Sequence, residues 1–260
     1  MMPSLFVAHG SPMIAIEDNP YARFLDHLGK TLPKPRAIVI FSAHWEDPIQ
    51  RVSVVDHYST IYDFGGFPSA LYQVRYDAPG DPELAGKIIG ALKARRIASQ
   101  VDETRGLDHG AWTILSRIFP ACDIPVVALS VNQNLAPQQQ YAIGQSLEFL
   151  RAEDVLVMGS GVTIHNFQYV EFDREDAPPA PWAEEFNEWL TGRIKTWNLP
   201  DLFDYDQKAP NVRMAVPIRG REHFIPLFYA MGAADQGRKV EVLHSSYQFG
   251  SLSNTVYQFS

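Results

Sequence analysis

Residues 39–48 read VIFSAHWEDP: an apolar and aromatic run that has the composition of a buried strand, then small residues, then a histidine beside a tryptophan. The same order recurs at 4–12, SLFVAHGSP, and at 155–166, VLVMGSG followed by VTIHN. Runs of four to seven apolar residues bounded by small residues suit strands buried on both faces, as in a parallel sheet. In such sheets ligands gather outside the carboxyl ends of the strands. Three runs that each lead into a histidine therefore predict three imidazoles, His9, His44 and His165, on one rim.

The opening run spans Ala37–Phe41, a further strand-like run lies at Pro125–Val131, and helical patterns alternate with these runs. The segment 81–96, DPELAGKIIGALKARR, opens with Asp81 as an N-cap and Pro82 at the first helical position, and closes on basic residues that suit the helix dipole. Helical spacing also marks 137–150 and 181–197. Strands alternating with amphipathic helices predict an α/β fold with a mostly parallel central sheet flanked by helices. The stretch DREDAPPAP, 173–181, reads as a surface loop, because candidate site residues fall on both sides of it. The expectation is one domain over 1–260.

Composition narrows the function. A 46% hydrophobic chain can bury a sizeable core. The net charge of −8 and the absence of any basic run argue against nucleic acid and against an anionic membrane surface. The single cysteine, Cys122, excludes an intramolecular disulfide and fits a reducing compartment. The N-terminus lacks the basic and apolar regions of a signal peptide, and no apolar run reaches the roughly 20 residues that span a bilayer. A cytoplasmic protein is expected.

Of the eight histidines, His27, His57 and His244 have no strand-exit context. His109 follows Asp108 at a predicted helix start, and His223 lies near the start of a helix that would dock on the same rim. Imidazoles gathered from distant parts of a chain suit a metal centre made by tertiary folding. Glu46, Asp47, Asp108 and Glu222 each sit beside a candidate histidine, and Asp108 is expected to orient His109. The sequence has no nucleophile elbow, P-loop or dinucleotide fingerprint.

Seven segments together resemble the DOPA-dioxygenase-type branch of the class III extradiol aromatic ring-cleavage dioxygenases. They are HGSP (9–12), SAHWE (42–46), YDFGGFP (62–68), LDHGAW (107–112), SGVTIHN (160–166), EHFIPL (222–227) and FGSLSNTVYQF (249–259). The resemblance implies cleavage of a small, DOPA-like catechol by O₂ to a muconic semialdehyde. It also implies a single metal at the strand rim, held by His9, His44 and His223. His165 would be an acid/base or a fourth ligand, and His109 would face the substrate and oxygen. The wider superfamily has a glutamate where this branch has the histidine of EHF, so three neutral imidazoles leave the centre one unit more positive. Fe²⁺ is expected for activity, while Zn²⁺ suits the same donors. Trp45, Phe64 and Phe67 are expected to wall the aromatic site, and Tyr62 stands where relatives often carry histidine. Two other readings of the same residues are a zinc hydrolase and a non-catalytic binding protein on this scaffold.

Overall fold

The computed structural model describes residues 1–260. Eight strands form one sheet: β1 (Ser4–Ala8), β2 (Ala37–Glu46), β3 (Gln50–Ser53), β4 (Ser99–Asp102), β5 (Val126–Val131), β6 (Val155–Gly161), β7 (Val240–Gln248) and β8 (Leu252–Phe259). Their order is β4-β3-β5-β2-β6-β1-β8-β7. The central block β5-β2-β6-β1 is parallel throughout. A C-terminal hairpin, β7–β8, closes one side antiparallel to β1. The pair β3–β4 closes the other, antiparallel to β5.

Alternation along the central strands divides the core into two layers. Phe6, Val39, Phe41, Val155 and Val157 face one way. Leu5, Val7, Ile38, Ile40, Leu156 and Met158 face the other. The second layer is covered by α1 (Pro20–Thr31) and by α3 (His109–Ile118). The first is covered by α2 (Pro82–Ala94), α4 (Pro137–Gln145), α5 (Pro181–Lys195) and α9 (Pro226–Gly232). Three one-turn helices, α6 (Leu199–Phe203), α7 (Tyr205–Lys208) and α8 (Val212–Ala215), join the last two. Asp81 caps α2 as expected, accepting from the Leu84 N–H.

Two local features differ from the sequence reading, and both shape the rim. First, β2 does not end at Phe41 but runs on to Glu46. Phe41 pairs with Leu129 and Glu46 with Val131, so β2 advances five residues while β5 advances two. The extra residues form a bulge that bends the strand and re-aims its side chains. Arg105 pins the bulge through the His44 carbonyl at 2.9 Å. Second, the glycines of β6 lie within the strand instead of at its exit. A Cβ on Gly159 would sit 2.2 Å from the Pro226 carbonyl oxygen, and one on Gly161 would sit 2.1 Å from that of His223. The glycines let the segment carrying His223 lie directly on the strand end, where the Val162 N–H bonds the His223 carbonyl at 2.8 Å. No helix is long and apolar enough to cross a membrane.

Candidate metal centre

His9 leaves β1 directly, its backbone N–H tied to the Gly161 carbonyl at 3.1 Å. His44 comes from the β2 bulge, and His223 from a 3₁₀ turn, Arg221–His223. Nε2 of His44 lies 3.1 Å from Nε2 of His9 and 3.3 Å from Nε2 of His223. Two metal–nitrogen bonds of about 2.1 Å, at roughly 90–110° to each other, separate their nitrogens by about 3.0–3.4 Å.

The opposite ring nitrogens explain why these atoms face one another. Ser160 Oγ donates to the Gly110 carbonyl, which leaves it to accept from Nδ1–H of His9 at 3.1 Å. Glu222 accepts from Nδ1–H of His223 at 2.9 Å, and Asp63 lies 3.4 Å from Nδ1 of His44. Ser160 and Glu222 fix the proton on Nδ1 of His9 and His223 and leave a lone pair on Nε2, while the Asp63 carboxylate near Nδ1 of His44 favours the same tautomer. Three inward lone pairs have no donor among them, and a divalent cation satisfies all three. Burial holds the set neutral. It lowers His9 and His223 well below the usual imidazole range and brings His44 down to about 4, with the neighbouring histidines adding to the effect. The donor set therefore fits a metal ion without prior loss of protons.

His109 and His165 stand beside the three imidazoles of His9, His44 and His223 but outside that group; His109 forms a second close group with His44 and the Asp63 carboxylate, and His165 belongs to neither. His165 stacks face to face on His223, with ring centroids 3.8 Å apart and planes 8° apart. Burial, then the nearness of His223, lowers it to about 2. His109 opens α3, and its ring lies 3.8 Å from that of His44. Its Nδ1–H and its backbone N–H both go to Asp63 Oδ1 at 2.9 Å. Burial pushes the Asp63 carboxyl up, but the hydrogen bond and charge of His109 outweigh it and hold the group at about 2.

Asp108 thus does not orient His109. Its carboxylate caps α3 through the Ala111 N–H, accepts from Ser42 Oγ at 2.5 Å and pairs with Arg105 at 3.1 Å. Asp63, 46 residues from His109, takes the orienting role. The sequence places it within YDFGGFP, but its neighbours there gave no sign of a histidine partner. Glu46 and Asp47 turn to Gln133 and Arg51 instead of to an imidazole.

The group opens into a cavity of about 770 Å³. Phe64 and Phe67 line it, as expected, and so do His109 and His165. Trp45 does not. It is 6% exposed, packs in the second core layer and carries the Arg105 guanidinium 5.0 Å from its ring centroid. Its direction follows from the strand: successive side chains point to opposite faces, and His44 takes the cavity side. Tyr62 also turns away, bonding the Val74 carbonyl at 2.9 Å. Phe167, Phe172 and Phe249 form a wall that the sequence reading missed. The first two lie in the polar segment after His165, where aromatic residues have no periodic partner to mark them. His27 and His57 are exposed, and His244 packs against Tyr21 and Phe24.

Comparison with known proteins agrees with this arrangement. The model of a family described as "Catalytic LigB subunit of aromatic ring-opening dioxygenase" matches residues 3–260. A Beta vulgaris protein named 4,5-DOPA dioxygenase extradiol is 42% identical over 266 residues, covering 99% of this chain and 96% of its own. An Escherichia coli (strain K12) protein of the same name is 38% identical over 257 residues, covering 97% and 92%. The crystal structure of an uncharacterized protein, JW3007, from Escherichia coli K12 superposes with a TM-score of 0.84 at 33% identity, covering both chains fully. The family is catalytic and the two named relatives are dioxygenases, so the readings as a non-catalytic scaffold and as a hydrolase lapse. With the match running nearly end to end over a metal-ready rim, the chain belongs to the family of the catalytic LigB subunit of aromatic ring-opening dioxygenases.

Proposed function

We propose that this extradiol dioxygenase acts on a small catechol with a DOPA-like substituent, and that Fe²⁺ held by His9, His44 and His223 is its working metal. One observation carries the reading: three Nε2 atoms converge at the mouth of an aromatic-walled cavity while Nδ1 of His9 and of His223 each has a hydrogen-bond acceptor and Nδ1 of His44 faces the Asp63 carboxylate. The names of the Beta vulgaris and Escherichia coli relatives support the substrate class. When bound, a redox-active iron supplies the one-electron chemistry that O₂ needs to react with a closed-shell catechol.

The chain's own residues do the rest. Phe64 and Phe67 present apolar faces to the aromatic ring and keep water from it. His165, held in place by stacking on His223 and with its basicity lowered by burial, acts as the base for a catechol hydroxyl once the catecholate charge forming beside it offsets that burial. We assign it as a base and not as a fourth ligand, because its nitrogens lie outside the close group of three. His109 gives its Nδ1–H to Asp63, which leaves Nε2 for the cavity. With its proton held on Nδ1, Nε2 is an acceptor at rest and becomes a donor to negative charge developing on oxygen only after a proton is passed to it.

The test is O₂ uptake with the visible spectrum recorded alongside. Protein stripped of metal is reloaded anaerobically with Fe²⁺ or Zn²⁺ and offered DOPA, catechol and protocatechuate. Uptake with a yellow product in the iron sample alone is expected. Zinc satisfies the same donors without activating O₂, so equal activity in both samples, or none with iron demonstrably bound, would overturn the assignment.

A further inference from the structure

The cavity that holds the histidines is lined by Glu17, Glu46 and Glu222 and by no lysine or arginine. Glu222 is committed to His223 and Glu46 to Gln133. Glu17 is different. It is half-buried, and its carboxylate receives only one hydrogen bond, from Asn19 Nδ2 at 2.9 Å. The Arg117 guanidinium lies outside the lining, donates to the backbone carbonyls of Ile14 and Glu17 and pairs with Asp26 at 3.4 Å.

Gln248, also in the lining, donates its Nε2 to Glu175 at 3.0 Å and accepts from Asn254 Nδ2 at 3.0 Å, which fixes its amide. The Phe249 N–H bonds the Glu175 backbone carbonyl at 2.9 Å and holds that segment at the cavity wall. Asn254 is 1% exposed, and its Oδ1 has no partner. That oxygen faces Gly10 in the cavity floor, 3.2 Å from where a Cβ would stand. Burial, then the neighbouring Glu175, raises the Glu17 carboxyl, and together they outweigh the opposing pull of the Arg117 charge and the Asn19 hydrogen bond. The aromatic faces of Phe172 and Phe249 complete the wall, and such faces attract cations.

We propose that this wall, centred on Glu17, is a subsite for a cationic nitrogen, and that the chain prefers catechols whose side chain ends in an ammonium group over those ending in a carboxylate. The inference rests on the ring-cleavage reading for the catechol half of the ligand only. A substituent carrying both charges falls between the two extremes, because its carboxylate finds no cation in the lining.

Three ligands of similar length separate the charges: dopamine, 4-propylcatechol and 3-(3,4-dihydroxyphenyl)propionate. Each is titrated calorimetrically into the iron-loaded protein without oxygen. Dopamine is expected to bind roughly tenfold more tightly than the neutral ligand, and the propionate more weakly than either. Glu17→Gln keeps the side-chain volume and the oxygen that Asn19 bonds. It is expected to reduce the dopamine-to-propylcatechol affinity ratio by about tenfold. Equal affinities in the wild type, tighter binding of the propionate, or an unchanged ratio in Glu17→Gln would each overturn the subsite. O₂ uptake by the same samples tests ring cleavage separately. Selective binding without uptake leaves the subsite standing and removes the catalytic reading.

Discussion

One carboxylate oxygen of Asp63 accepts two hydrogen bonds from a single residue, the backbone N–H and the ring Nδ1–H of His109, each at 2.9 Å. The second oxygen lies 3.4 Å from Nδ1 of His44. Asp63 thus holds the start of α3, the tautomer of His109 and the back of a proposed metal ligand together.

Asp63→Asn is therefore expected to slow turnover more than it loosens the metal. Partners that orient such histidines typically change affinity or activity by about 10–100-fold. His9 and His223 keep their own acceptors in the variant, so most of the metal should stay. Metal content by atomic absorption, set against O₂ uptake, checks this. Loss of metal in proportion to activity would assign Asp63 to His44 alone.

The two histidines nearest Asp63 should separate cleanly. His44→Ala removes the nitrogen that stands 3.1 and 3.3 Å from the other two, and should abolish metal retention. His109→Ala leaves the group of three intact and should keep the metal while losing turnover. Full metal occupancy in the His44 variant would sink the ligand assignment.

Acid should destabilise the metal-free protein over a defined range. His44 titrates near 6.5 in the unfolded chain but is brought down to about 4 by burial in the folded one. Between those values the unfolded state binds the extra proton, so stability falls as the pH drops through that window. His44 alone accounts for roughly 3 kcal/mol, and His165, brought down to about 2, extends the loss to lower pH. Urea midpoints measured from pH 7.5 to 4 should decline below about 6.5 and hold steady above it. A flat profile would mean that the imidazoles are hydrated in the absence of metal.

Gly161→Ala tests the close approach of β6 to His223. The new methyl would overlap the His223 carbonyl oxygen, only 2.1 Å away, and must displace backbone that cannot rotate aside. Overpacking of this kind costs about 1–3 kcal/mol. The melting temperature should fall, and metal affinity with it, because His223 moves. Gly192→Ala, on α5 with open space around its Cβ position, should leave both unchanged.

The order of apolar runs and helical segments was enough to predict the α/β sheet, its parallel centre and a rim of histidines, because burial on both faces demands continuous apolar strands and parallel strands share an exit. His9, His44 and His165 were legible for that reason, and His109 and His223 from the helix starts beside them; the structure places all five around one cavity. What each imidazole does was not legible. The proton on His9 is fixed by Ser160, 151 residues away, and that on His109 by Asp63, 46 residues away. A bulge of a few residues in β2 aims His44 into the site and Trp45 into the core. Local sequence records which donors are present. Only the tertiary structure decides which nitrogen is bare and which carboxylate stands behind it, since hydrogen-bond geometry is set by contacts between segments whose separation along the chain carries no signal.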